Sequence, residues 1–117
     1  MKIEIFEIAS KEDKIYRELL EQYKTNPEVQ ALLHESIIRS EMILSGDFRL
    51  ITMLNRSIDT DNIQVYLVKD NDTFVWVIGK FVDDGKITMY PLLKEQSKEL
   101  QLEVQNVLIK KGLIKSP

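Results

Sequence analysis

The chain of 117 residues contains a single histidine, His34, and no cysteine. Histidine-based acid–base or nucleophile-activating chemistry therefore has one residue to work with. No serine sits in a G-x-S-x-G elbow, so a Ser-His-Asp arrangement has no local support. A zinc site usually draws on several His or Cys ligands, and without cysteine there are no disulfides and no thiolate nucleophiles. His34 reads as a residue at the boundary of a helix face. Three acidic pairs, Asp59/Asp61, Asp70/Asp72 and Asp83/Asp84, raise the question of calcium. An EF-hand loop requires glycine at its sixth position and glutamate at its twelfth. Counted from Asp59 those positions hold Gln64 and Asp70; counted from Asp70 they hold Val75 and Phe81. The acids read as turn residues. No catalytic residue, cofactor or metal is expected.

Two further features invite a ligand reading. Gly79 interrupts an apolar run, as a bulge or a close helix contact would require; an opening for a ligand is the alternative. Tyr66, Trp76 and Tyr90 fall on three successive strands and could form an aromatic row of the kind that stacks single-stranded RNA. The basic residues that accompany such platforms are missing around them, so a core or interface role is expected.

Composition supports a single domain over 1–117. Apolar residues make up 44% and charged residues 30%, ordinary for a globular chain that builds its own core. The N-terminus shows no signal-peptide pattern, and no apolar run approaches the roughly 20 residues a membrane span needs. A cytoplasmic protein with no membrane partner is expected. The net charge of −3 is uneven: six basic against ten acidic residues over 1–47, five against six over 48–91, and five against three over 92–117. No basic face stands out, and nucleic acid is not the expected partner.

These residues have to be positioned by elements that the pattern makes legible. Lys2 to Ile8 reads as a strand, apolar on both faces and so expected in the sheet interior. Ser10 is placed as the cap of a helix whose stripe is Ile15, Leu19, Leu20 and Tyr23. Asn26-Pro27 opens a second helix. Its first face is Val29, Leu32, Leu33, Ile37 and Leu44; Ala31, Ile38 and Met42 make most of a second. Residues 47–57 read as a short helix or a strand. A meander follows: Asn62–Lys69, a turn at Asp70-Asn71-Asp72, Phe74–Val82, a two-residue type I′ hairpin at Asp84-Gly85, and Ile87–Tyr90. In Phe74–Val82 one face is expected to carry Phe74, Trp76, Ile78 and Val82, and the other Val75, Val77 and Phe81. A last helix spans about Lys94 to Lys111 and closes on Gly112-Leu113 in a Schellman motif. The class is α+β; if the last helix crosses to the opposite side of the sheet the result is a layered domain, and the rival arrangement keeps all the helices on one face and leaves the other for a partner.

This order of strand, two helices, three-stranded meander and helix is similar to the first two-thirds of a GNAT-type acetyltransferase. In that family a glycine-bearing loop after the fourth strand holds the acetyl-CoA pyrophosphate. The matching stretch here, Tyr90-Pro91-Leu92-Leu93-Lys94-Glu95-Gln96-Ser97-Lys98-Glu99, contains no glycine, and no functional residue is carried over.

The function expected is a small non-enzymatic interaction module, a regulator, inhibitor or immunity-type protein, that forms a homodimer or binds a protein partner. Its candidate interface is Ala31, His34, Glu35, Ile38 and Met42. The alternatives are an acetyltransferase-like fold binding a small molecule or acyl-CoA, and a nucleic-acid-binding regulator.

Overall fold

The computed structural model describes residues 2–45, 63–82 and 85–115. Within them the chain runs β1 (Ile3–Glu7), α1 (Lys14–Gln22), α2 (Pro27–Ser45), β2 (Ile63–Asp70), β3 (Thr73–Phe81), β4 (Ile87–Pro91) and α3 (Lys98–Lys110). The strands form one antiparallel sheet in the order β1-β2-β3-β4. The α+β class is as expected. Residues 47–57, whose state the sequence leaves open, lie outside the described residues.

Helices cover both sides of the sheet. On one side Tyr16 and Leu19 of α1 and Val29, Leu33, Ile37 and Ile43 of α2 pack on Val65, Leu67, Phe74, Val77 and Phe81. On the other, Leu100, Val104 and Leu108 of α3 pack on Tyr66, Val68, Val75, Trp76 and Ile78. The doubly apolar β3 is therefore covered within its own chain. The two-sided apolar pattern of β1 has the same cause: Phe6 joins one layer, and Ile3 and Ile5 the other. β1 is not an interior strand; among the described residues it pairs only with β2.

A β-bulge overturns the expected faces of β3. The ladder passes from Val68 opposite Trp76 to Lys69 opposite Phe74, which leaves Val75 without a partner position. One extra residue reverses the alternation beyond it. Val75 and Trp76 thus both face α3, and Phe74 joins Val77 on the α2 side. The aromatic row fails on register: Tyr90 lies opposite Val77 and shares its face in the α2 layer, whereas Tyr66 and Trp76 face α3.

The helix ends follow local chemistry. The Asn26 Oδ1 accepts from the Val29 N–H at 3.2 Å, ahead of Pro27, as a cap should. Ser97 caps α3 by accepting from the Leu100 N–H at 3.1 Å, so α3 starts later than the apolar pattern suggests. At its end Gly112 has φ 72°; the Leu113 N–H donates to Leu108 O and the Gly112 N–H to Ile109 O, both at 3.0 Å. These are the two bonds of a Schellman motif. α1 begins after Asp13 and not after Ser10; the Asp13 carboxylate accepts from the Ala9 and Ser10 amides and shapes the entry turn. Its buried residues are Tyr16 and Leu19, and Ile15 is 41% exposed.

At the β3–β4 link, Phe81 donates to Lys86 O at 3.0 Å and Gly85 donates to Phe81 O at 2.8 Å. The ladder closes with Phe81 opposite Lys86, so the connection is longer than a two-residue turn. Asp84 lies outside the described residues. Gly85 does take the positive φ expected of it, 68°. Asn71, with φ 55°, supplies the left-handed residue of the two-residue β2–β3 turn, a conformation asparagine tolerates.

Candidate interaction face

α2 is held to the sheet by a mixed row. Val29, Leu33, Ile37 and Ile43 are buried, and so are Ser36 and Ser40, which have no exposed surface. Their hydroxyls donate within the helix, Ser36 to Leu33 O at 2.7 Å and Ser40 to Ser36 O at 2.8 Å. That satisfies each hydroxyl without a partner in the sheet. Small serine side chains let α2 come close. A Cβ placed on Gly79 would lie 3.5 Å from Ile43 Cγ2 and 3.7 Å from Tyr90. Gly79 thus marks the helix contact, not an opening to a ligand.

The opposite side of α2 carries the candidate residues. Ala31 and His34 are exposed and Glu35 is half-buried. Ile38 and Met42, one turn apart, keep 37% and 36% of their surface in water. A groove of about 450 Å³ runs between α1 and α2; its walls include Tyr16, Leu20, His34, Ile37 and Ile38, with charges of both signs, Arg17 and Glu41, at its rim. The Tyr16 hydroxyl donates to Leu33 O at 3.2 Å and clamps the two helices together. Burial, and secondarily Glu41, hold the Tyr16 hydroxyl above its usual pKa, so it stays a proton donor.

The five candidate residues do not form one cluster. His34 and Ile38 enter the groove, whereas Ala31, Glu35 and Met42 are not among the residues lining it. Glu35 is engaged structurally. Its carboxylate accepts from Arg39 Nε at 3.0 Å, and the Arg39 guanidinium donates onward to Pro91 O, tying α2 to the end of β4. Tyr16, Arg17 and Glu41 were not singled out from sequence, because the groove exists only once α1 lies against α2.

A second polar arrangement was also missed. Lys69 is 6% exposed. Its ammonium lies 3.5 Å from Glu4 Oε1 across the β1–β2 ladder and 5.4 Å from the centroid of the Tyr23 ring. Burial pulls the Lys69 pKa down, but the Tyr23 hydroxyl and Glu4 together outweigh it, and the net shift is upward. Tyr23 in turn donates to Asp72 Oδ1 at 3.3 Å, so one of the acids once read against calcium belongs to this network. Every charge in it meets a counter-group or a hydroxyl, the arrangement of a structural pair.

No helix among the described residues is long and apolar enough to cross a membrane. Comparison with protein-family models, curated proteins and solved structures finds no match.

Proposed function

We propose that the protein is a non-enzymatic interaction module, and that another protein chain, a second copy included, seats on the outward side of α2. The observation that carries this reading is the adjacency of Ile38 and Met42, half-exposed one turn apart beside a groove with both charge signs at its rim. Isolated exposed apolar residues are ordinary, but an apolar pair next to a concave surface suits an inserted side chain. His34 and Glu41 give that contact a polar edge. A photo-cross-linking residue at position 38, introduced in the native cell, should give a discrete heavier band. The same residue at position 102, exposed on α3, should give none. The mass of the band separates a second copy from a different chain, and no band at position 38 sinks the reading. Ile38→Glu should leave circular dichroism unchanged, since the charge becomes desolvated only on contact.

A further inference from the structure

Among the described residues the two outer strands of the sheet, β1 and β4, each lack a neighbour on one side, and these two edges are unlike. β1 carries Glu4 and Glu7, with Lys2 just before it, the charges that keep an edge from pairing with another chain. β4 reads Ile87-Thr88-Met89-Tyr90-Pro91 and carries no charge within it, although Lys86 stands just before it as Lys2 does before β1. Its open groups follow from the ladder. The Phe81 N–H bonds Lys86 O, and opposing residues alternate between hydrogen-bonded and non-bonded pairs. Lys86, Thr88 and Tyr90 therefore turn their backbone groups toward β3, and Ile87 and Met89 turn theirs outward. Among the described residues those groups have no partner. The outward carbonyl of Pro91 is taken by Arg39.

We infer that a second copy of this chain pairs with β4, joining the two sheets edge to edge about a two-fold axis at Thr88. Unpaired N–H and C=O groups at strand spacing are recognised by another strand. An antiparallel partner centred on Thr88 sets Ile87 opposite Met89 of the other copy, and Met89 opposite Ile87, so all four open groups on each strand find partners. Centring on Met89 instead would set Ile87 opposite Pro91, which has no N–H and whose carbonyl is already occupied. The Thr88 register also keeps like charges apart, because Lys86 then faces Tyr90 of the other copy. The side chains agree. Ile87 and Met89 are only partly buried at the border of the α3 layer, beside Leu93, Leu113 and Ile114. Edge pairing brings two such borders together and lengthens one apolar layer across both copies. This inference is independent of the α2 reading and leaves that face free.

Met89→Pro separates the contact from the fold. It removes an outward N–H and none of the ladder bonds to β3, and proline is tolerated on an edge strand in that orientation. Light scattering of the wild-type chain at high concentration should give twice the 13.7 kDa of one chain. Amide exchange at Ile87 and Met89 should slow as concentration rises, and Met89→Pro should be a folded monomer. A wild-type monomer overturns the inference, as does a dimer that survives Met89→Pro. A dimer dissolved by Ile38→Glu instead places the second copy on α2. Should Met89→Pro unfold, the wild-type exchange decides: concentration-independent rates at Ile87 and Met89 overturn the inference and concentration-dependent slowing supports it.

Discussion

Lys69 shows how a single charge is fitted into an apolar layer, and the fit is unequal between its partners. The Lys69 side chain is 7% exposed and that of Glu4 37%. Removing Glu4 leaves a buried ammonium short of its counter-charge. Removing Lys69 leaves a carboxylate that water can reach. Glu4→Gln should therefore cost about 1–3 kcal/mol, and Lys69→Met, which keeps the apolar stem, should be close to neutral. Urea unfolding of both variants checks the order; equal losses would mean that the pair acts as an ordinary surface bridge. The pH dependence has a definite sign. A folded-state pKa above the unfolded value means that the native state holds its proton longer. The contribution of Lys69 is complete below the usual lysine range and is lost as pH rises through the folded value. Tyr16 and Tyr66, both raised first by burial and then by Glu41 and Glu7 respectively, act with the same sign. Stability should decline above about pH 10, and Glu4→Gln, which removes one of the groups that hold the folded-state pKa of Lys69 up, should make that decline smaller.

At the scale of elements, what was legible in the sequence is what local chemistry dictates. Asn26-Pro27 starts α2 and Gly112-Leu113 ends α3 because a cap and a left-handed glycine each answer a need of the helix end itself. The apolar pattern of β3 showed that both faces need cover, but not whether α3 or a partner supplies the second; the structure places α3 there. What was not legible depends on neighbours. No glycine or proline marks the bulge at Val75, so strict alternation assigned Phe74 and Val75 to the wrong sides. Tyr16 and Ile15 are adjacent in a helix, and only the position of α2 decides which one is buried. Lys69 ends an apolar strand and shows its role only when the register sets it opposite Glu4. Of the five candidate interface residues, Ala31, His34, Ile38 and Met42 are exposed, and the groove beside them is a product of two helices meeting. The two glycines at turns give the element-scale prediction. Gly85 and Gly112 have φ 68° and 72°, and among the described residues no atom lies within 4 Å of an added Cβ, so a substitution is penalised by backbone strain. Gly85→Val and Gly112→Val should each cost about 1–3 kcal/mol, whereas Gly79→Ala, with normal contacts and no positive φ, should be tolerated. Thermal melts of the three variants test this, and a Gly85→Val protein that melts with the wild type would show that the hairpin does not depend on the left-handed residue.

For the whole molecule the question is whether two helical layers on one sheet behave as one unit. β3 belongs to both: Phe74, Val77 and Phe81 serve the α1–α2 layer, and Val75, Trp76 and Ile78 serve the α3 layer. Detaching α3 would expose Val75, Trp76 and Ile78 to water along a central strand, and the other layer cannot compensate because it touches only the opposite side. The apolar area shared through β3 therefore couples the layers, and a domain of this size is expected to unfold in a single step. Trp76 is the sole tryptophan and lies in the α3 layer at 4% exposure, so its fluorescence reports that layer alone. Far-UV circular dichroism is weighted toward α1 and α2, which hold most of the helical residues among those described. The two urea transitions should superimpose in midpoint and slope. The same coupling makes a lesion in one layer felt by both. Val104 is fully buried against the sheet, and Val104→Ala should shift both transitions together by about 1–3 kcal/mol. A fluorescence transition that moves ahead of the dichroism transition, in the wild type or in Val104→Ala, would show instead that α3 is a separable cover, and that β3 tolerates losing one of its two sides.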